Sequence, residues 1–562
     1  MRGRFATFAT VVGVVMLVIG FWWRGELFLA ANGPTFDEAA YLAAGYHHWL
    51  YADFQMTSEH PPLLMMWWAL PLFLGERPAF PEEVARATNR NHWQVGIALL
   101  YGADTPYTDR LNPARRMNLA IGCGVVLLSG WWAYRSWMSR LAGFAAAALA
   151  AADPNLLALS CVLSTDVGFA FFAMLSTYLL SEYASSPSRG WLFAAGMSLG
   201  LLLGTKHSAI GMVVALGMTG LLLIVRGDVL SLPGVPVEGR TVALRERLAR
   251  ARDLLIRLGV IAAVTLAATY GFVHFDEWGR GLKFQLTRAA HGDGAFYLCG
   301  QISRTGWYHY FLVALALKLP LGLVVAAFAS AVLPGMLYGR AVERSSSGIW
   351  LFVPPMLFLA AISYSKVDLG VRVVLPSVVF LAVVAARLAA LGSRRFLGGA
   401  LLVCCLVGEI VSNWQATPYG IAYVNELAGG PTGALSCIAD SNLDWGQGLP
   451  ALKKYMVQEG IESVYLSYFG TDRPEAHGIR FAALPGYGRV GPPGGEIPPA
   501  DAKRPILVVS ANNLLGIYLN DPATFSWLRG RSPSAVLGGC LYVFDLTGDA
   551  DAIDRVRSLI LH

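Results

Sequence analysis

Carboxylates and imidazoles crowd one stretch of the chain, Thr35 to Leu63, which reads TFDEAAYLAAGYHHWLYADFQMTSEHPPL. Asp37, Glu38, Asp53 and Glu59 can accept or hold a proton, and His47, His48 and His60 can do the same or ligate a metal. If the stretch is helical, neighbouring side chains diverge by about 100°, so only one of Asp37 and Glu38 can face a given site. The same pitch aligns Asp37, Tyr41, Ala44 and His48, yet leaves Asp37 and His48 ~16 Å apart, too far to act as a pair. The competing reading is a solvated helix start capped by Thr35 or Asp37. His60 precedes Pro61 and Pro62, which impose an extended backbone, and the three histidines read as loop architecture with no metal expected.

A second acid and a set of cations widen the candidate site. Asp166 lies in LSTDVGF at the start of an apolar run, where it can cap a helix or serve a buried function. Lys206, Lys318, Lys366 and Arg372 flank other apolar runs, where snorkelling to the interface competes with a role in binding an anion. Lys and Arg held beside a carboxylate suit a phosphate ester next to a base. A carboxylate so placed can accept a proton while the cations steady a phosphate.

These residues must be positioned by membrane helices. The chain of 562 residues is 55% hydrophobic and 14% charged, with mean hydropathy +0.50, which excludes a soluble enzyme of this size. Apolar runs fall near 5–23, 117–134, 141–159, 166–183, 191–204, 207–225, 257–274, 319–338, 349–364, 371–390 and 395–414, about eleven spans. Arg2, Arg4, Arg135, Arg140, Arg189, a cluster from Arg240 to Arg257, Arg340, Arg344, Arg394 and Arg395 all fall on one side, which the positive-inside rule makes the cytoplasm. The N-terminus is then cytoplasmic, and the 24–115 loop, the 275–318 loop and everything beyond 414 are extracytoplasmic. A net charge of +6 spread in this way argues for membrane orientation, not nucleic-acid binding.

Residues 1–414 thus read as a transmembrane catalytic domain, and 415–562 as an extracytoplasmic α/β domain. Expected strands are Leu435–Ala439, Ser463–Phe469, Pro505–Ser510 and Leu541–Leu546, with a helix over Leu449–Gln458 and a loop over Pro485–Pro499. Of seven cysteines, Cys299, Cys437 and Cys540 lie in polar surroundings; Cys437 and Cys540 can form a disulfide in an oxidising compartment or remain free thiols.

The sequence resembles the GT-C membrane glycosyltransferases. TFDEAAYL and EHPPL in the first loop, STD at Asp166, GWYHYFLVALALKLPLG and GVRVVLP carry the likeness. It is nearest to bacterial relatives of the protein O-mannosyltransferases and of the lipid A aminoarabinose transferase. YVNELAGG and DSNLDWGQGL resemble a phospholipid-carrier-dependent subset of these. The resemblance implies a sugar donor linked to polyprenyl phosphate in the inner membrane, and an acceptor on a protein, lipid A, another glycolipid or a cell-wall polymer. It places Asp37 on the family's first-loop base, Glu38 on its companion and Asp166 on the second acid. With a sugar 1-phosphate donor of that kind, one carboxylate deprotonates an acceptor hydroxyl and cations steady the departing phosphate. In-line attack inverts the anomeric carbon, and neither a nucleotide nor a redox cofactor is required. The expectation is Asp37 as base, Asp166 as a positioning acid, and Lys206, Lys318 and Arg372 as phosphate ligands. His60 departs from the aminoarabinose transferases, which carry Lys before the prolines, and so stands with the acceptor or loop residues. Asp440, Asn442, Asp444, Trp445 and Gln447 match no assigned catalytic part and either anchor the C-terminal domain or line an acceptor groove. Trp49, Trp93, Trp307 and Tyr308 can stack on sugar or form an interfacial belt. A flippase of lipid-linked sugar and a non-catalytic glycolipid binder are the alternative functions.

Overall fold

A computed structural model describes residues 2–102, 105–226, 243–292, 294–337, 347–390, 395–488 and 504–560. Arg240, Arg340, Arg344, Arg394 and the 489–499 part of the expected Pro485–Pro499 loop lie outside the described residues. The chain opens with α1 (Arg2–Ala31), whose Phe8, Met16 and Ile19 are exposed. Large apolar side chains on the outside of a helix fit a lipid solvent, in which the backbone must satisfy its own hydrogen bonds.

Among the described residues six helices are long and apolar enough to cross a membrane, and two bent pairs raise this to as many as eight. Three shorter apolar helices, Pro62–Leu74, Arg189–Leu203 and Gly348–Ile362, accompany them. Each apolar run read from the sequence falls on a helix, with differences at the bends. The pair Arg140–Ala152 and Pro154–Ser160 turns by 64°, where the Asp153 side chain accepts from the Asn155 and Leu156 amides and caps the second arm. The pair Tyr310–Lys318 and Leu321–Val332 turns by 110°, at Pro320, which cannot continue a helix begun before it.

The long first loop is folded rather than merely polar. It holds α2 (Glu38–Tyr51), α3 (Pro62–Leu74) and the helix His92–Tyr101 before α4 (Tyr107–Trp137). Tyr46, Met65, Trp68, Val95 and Leu111 form part of its own buried core. Further on come α5 (Thr165–Ser185), helix α6 (Asp276–His291), the hairpin β1 (Phe296–Leu298) and β2 (Gln301–Ser303), and α7 (Tyr310–Lys318).

The C-terminal unit carries a five-stranded sheet ordered β4-β3-β5-β7-β6. Its strands are β3 (Ser463–Ser467), β4 (Arg480–Ala483), β5 (Ile506–Ser510), β6 (Ala535–Leu537) and β7 (Leu541–Asp545). β3 runs parallel to β4 and β5, while β7 is antiparallel to β5 and β6. The helix Leu449–Glu459 precedes β3, as its sequence indicates. The expected strand Leu435–Ala439 is instead a turn: the amides of Ser436, Cys437 and Ile438 return to Gly433 and Ala434 carbonyls. Leu435 and Ile438 pack with Tyr310 and Phe311 rather than in the sheet. Cys437 does not approach Cys540 as a partner; its thiol lies 3.2 Å from that of Cys299, and Cys540 is buried in the sheet core.

Candidate active site

The α2 N-terminus separates the acidic pair. Glu38 turns inward, where its Oε2 meets Arg115 Nη2 at 2.6 Å with both side chains fully buried. It also accepts from the Thr35 amide at 2.7 Å and the Leu163 amide at 2.9 Å, which ties α2 to α4 and to the segment before α5. Asp37 faces the other way, into a cavity of about 720 Å³ that it lines with Tyr41, His60, Lys206, Arg288, Arg372, Asp440 and Trp445. Desolvation there raises its pKa above the ordinary value; Arg372 opposes the rise, Asp440 adds to it, and Arg288 and a hydrogen bond from Trp445 oppose it.

Asp166 sits behind the cavity wall rather than in it. Ser164 caps α5 by accepting from the Asp166 amide, and its hydroxyl donates to Asp166 Oδ2 at 2.6 Å. The carboxylate then holds Lys206 Nζ at 2.6 Å and lies 3.6 Å from Arg372 Nη1. Fully buried itself, Asp166 fixes two cations whose remaining faces line the cavity. Charged groups gathered with few water contacts keep their strength for a ligand.

Lys318 is elsewhere. Its ammonium is buried and donates at 2.8 Å to each of the Ile421 and Asn442 carbonyls, and it is not among the cavity-lining residues. The bend after α7 turns it toward the C-terminal unit, so the expectation of a phosphate ligand gives way to that of a strut. Lys366 likewise lies off the cavity wall. His60 does line it, edge-on to Tyr41 at 5.5 Å between ring centres. Burial, then the neighbouring Lys206 and His207, lower its pKa, which leaves a neutral ring. His47 and His48 turn their Nδ1 atoms to the Asp53 carbonyl, at 3.2 and 2.8 Å, away from Asp37.

Of the stretch DSNLDWGQ, Asp440 and Trp445 line the cavity. Asp440 takes a positive φ of 55° and its carboxylate accepts from the Tyr518 hydroxyl. Asn442 Oδ1 accepts from the Val371 amide at 3.0 Å while its Nδ2 donates to the Tyr310 hydroxyl at 3.0 Å. Asp444 accepts from the Gly446 amide at 3.1 Å, where a φ of 92° requires glycine. Of the acids and amide in the expected acceptor set, only Asp440 reaches the cavity. Trp93 does too, with Phe36, Phe469, Tyr487 and Tyr518; Trp49 instead donates to the Met66 carbonyl at 2.8 Å, and Trp307 and Tyr308 lie off the cavity wall.

Residues 14–228 match the family model described as dolichyl-phosphate-mannose-protein mannosyltransferase. This region is similar to that family. The match contains Asp37, Glu38, Arg115, Asp166 and Lys206, the acidic half of the site and its first cation. The apolar helices fit a multi-pass membrane protein. No curated protein matches the chain. Among solved structures, ArnT from Cupriavidus metallidurans bound to undecaprenyl phosphate aligns at 14% identity and TM-score 0.45, covering 95% of this chain and 98% of that one. The protein O-mannosyltransferase Pmt1-Pmt2 complex of S. cerevisiae bound to the sugar donor aligns at 17% identity and TM-score 0.33, covering 52% of this chain and 39% of that one.

Several site residues escape a reading of the sequence. Arg288 lies in a segment of ordinary polar composition, on α6, and only the fold of that helix brings it to the cavity; His207 comes to the cavity beside its neighbour Lys206. Arg115 carried a signal: it sits at the start of the span that the expected topology places on the extracytoplasmic side, where the orientation rule makes basic residues scarce.

Proposed function

We propose that the cavity transfers a sugar from a polyprenyl-phosphate-linked donor to an acceptor hydroxyl at the extracytoplasmic membrane face, with inversion. The observation that carries this reading is the placement of Asp37 in one cavity with Lys206 and Arg372, both held by Asp166. The donor phosphate occupies the two cations, and Arg288 adds a third positive charge to the wall. Apolar residues of the same wall, including Ile210, Phe358 and Ile362, give the polyprenyl chain a path to the lipid. The family match over residues 14–228 supports the same class of reaction.

In the reaction Asp37 takes the proton of the acceptor hydroxyl as that oxygen bonds to the anomeric carbon. The bond from that carbon to the phosphate oxygen breaks, and polyprenyl phosphate leaves with the electron pair, stabilised by Lys206 and Arg372. Glu38 is the clamp that aims Asp37, and Asp166 the clamp that aims the cations. Protein in lipid nanodiscs, given a labelled polyprenyl-phosphate sugar and a membrane extract as acceptor, should move label to the extract and release polyprenyl phosphate. Asp37→Asn should lower the rate by about 10²- to 10⁴-fold; retention of most activity by a folded Asp37→Asn protein would show that another group is the base. Movement of intact donor across the bilayer without cleavage would favour a flippase.

A further inference from the structure

The C-terminal unit brings to the cavity a set of rings that the reaction as described does not use. β3, β4 and β5 run parallel, and the connections that leave them carry Phe469, Tyr487 and Tyr518 onto the cavity wall. Ligands of open α/β sheets bind outside the carboxyl ends of the parallel strands, where such connections converge. We propose that this end of the sheet is the acceptor subsite and that it takes a pyranose ring, so that the acceptor is a carbohydrate: Phe36, Phe469, Tyr487 and Tyr518 form its stacking surface, and Trp93 and Asp440 meet its hydroxyls. The inference rests on the reading of the cavity as a sugar-transfer site with Asp37 as base.

The four rings share nearly one orientation. Phe469 and Tyr487 lie 6.1 Å apart between ring centres at an angle of 13°. Phe36 meets them at 5.4 and 5.9 Å and Tyr518 at 5.4 and 5.1 Å, with angles of 15° to 27°. Backbone pairing sets this orientation: Phe469 and Tyr487 form an isolated parallel bridge, in which the Gly470 amide donates to the Tyr487 carbonyl at 3.0 Å and the Tyr487 amide to the Tyr468 carbonyl at 3.3 Å. Phe36 comes from the other end of the chain, and the Thr471 hydroxyl donates to its carbonyl at 2.8 Å. Gly488, at a φ of 90°, leaves room for it, since a Cβ there would stand 2.4 Å from the Phe36 ring. Phe36 precedes Asp37, so the cluster begins beside the base, whereas Lys206 and Arg372 make their contacts with Asp166, Ser441 and Trp445.

Two polar groups on the same wall indicate what lies against the rings. The Trp93 indole nitrogen is buried and has no partner among the described residues, a donor whose desolvation is uncompensated until a ligand oxygen meets it. Asp440 is held at a φ of 55°, a conformation that is costly for a residue other than glycine and that collects at ligand sites. Its amide donates to Asn512 Oδ1 at 2.8 Å. Its carboxylate accepts from the Tyr518 hydroxyl and the Ser441 amide and keeps lone pairs for a further donor. Aromatic faces edged by one donor and one acceptor match a pyranose, whose C–H bonds make an apolar face and whose hydroxyls surround it. A lipid chain would use the rings and neither polar group. An extended peptide would need free main-chain groups along a sheet edge, whereas Phe469 and Tyr518 follow β3 and β5, which have a neighbour on each side.

The test is product analysis in nanodiscs with a labelled polyprenyl-phosphate sugar and three acceptor preparations: glycolipid extracted from membranes with chloroform and methanol, protease-treated envelope polysaccharide, and delipidated, deglycosylated membrane protein. Label should enter the first or the second, and which of them it enters separates a lipid-borne from a polymeric carbohydrate. Label entering the protein alone would overturn the subsite. Tyr487 is exposed, so its substitution puts little load on the fold. Tyr487→Leu should raise the acceptor KM about three- to tenfold with the donor KM near that of the wild type, and Tyr487→Phe, which keeps the ring, should restore the acceptor KM. Trp93→Phe removes the donor and should raise the acceptor KM as well. An acceptor KM unchanged in both Tyr487→Leu and Trp93→Phe, in a protein that Asp37→Asn inactivates, would overturn the subsite and leave the base in place. Activity surviving in Asp37→Asn, or a donor left intact with every preparation, would instead overturn the reading on which the subsite rests.

Discussion

Glu38 and Arg115 form a fully buried ion pair, Oε2 to Nη2 at 2.6 Å, one residue away from the acid that lines the cavity. Arg115 also donates to the Asn32 and Gly33 carbonyls at 3.1 and 2.7 Å, so a single guanidinium pins the end of α1 and the start of α2. The direction in which Asp37 points follows from this clamp. Removing one partner of a buried pair leaves the other charge without compensation, at a cost of about 3–5 kcal/mol. Glu38→Gln should therefore lower the unfolding temperature and reduce transfer. A Glu38→Gln, Arg115→Met double variant should lose less stability than the two single losses summed, because no lone charge is left. Additive losses in unfolding measurements would show that the pair is not coupled.

In the proposed reaction Lys206 is a phosphate ligand and Lys318 a strut. Lys206 presents an ammonium to the cavity while Asp166 holds it at 2.6 Å; Lys318 spends its donors on the Ile421 and Asn442 carbonyls. Lys206→Ala should raise donor KM and weaken protection of the protein by undecaprenyl phosphate. Lys318→Met should leave the donor KM near that of the wild type while lowering thermal stability, since two buried carbonyls lose their partner at about 1–3 kcal/mol each. Equal effects of the two substitutions on donor KM would place Lys318 back among the phosphate ligands.

How far the sequence disclosed this site is clearest from those two lysines. Both stand at the ends of apolar runs, so depth in the membrane was legible for each, and depth alone joins Lys206 to Asp166 correctly. Direction was not legible, because it depends on the 110° bend after α7 and on which carbonyls the C-terminal unit presents. The acidic pair shows the same limit in milder form: helical pitch dictates that Asp37 and Glu38 part company, but only Arg115 decides which one turns inward. In the sheet, the longer β-branched strands β3, β5 and β7 announced themselves, whereas β4 (Arg480–Ala483) and β6 (Ala535–Leu537) are short pieces that partners define. Leu435–Ala439 has strand-like composition and becomes a turn because its apolar side chains are claimed by Tyr310 and Phe311.

Asp444 makes the C-terminal unit sensitive to pH. Burial pushes its carboxyl up to about 7, against the Gly446 and Asn512 amides that bond it, with Asp440 adding to the rise. Unfolded, the same group titrates near 3.9. Between roughly pH 4 and 7 the folded protein holds a proton that the unfolded chain has released, so stability falls as pH rises through that window and levels off above it. Asp444→Asn removes this contribution. The difference in unfolding temperature between pH 4.5 and 7.5 should be smaller in the variant than in the wild type, whatever the absolute cost of the amide. An unchanged difference would assign the pH dependence to other groups.

Cys299 and Cys437 are the remaining test of how the β1–β2 hairpin meets the C-terminal unit. Their sulfurs lie 3.2 Å apart, the Cys299 amide donates to the Cys437 carbonyl at 2.9 Å, and Tyr297 of β1 donates to the Ser436 carbonyl at 3.1 Å. The hairpin is thus zipped along the turn that leads to Asp440, and both thiols are free. A mild oxidant such as copper phenanthroline should join them, since two thiols in contact need only lose two electrons and two protons to it. Burial and the adjacent Cys437 push the Cys299 thiol up to about 11, so the reaction should run faster at pH 9 than at pH 7, as the thiolate is the attacking form. Non-reducing peptide maps should show Cys299 linked to Cys437, with Cys540 open to alkylation only after unfolding. A Cys437–Cys540 link under these conditions would contradict the packing of the turn against the hairpin, and with it the path by which Asp440 and Trp445 reach the cavity.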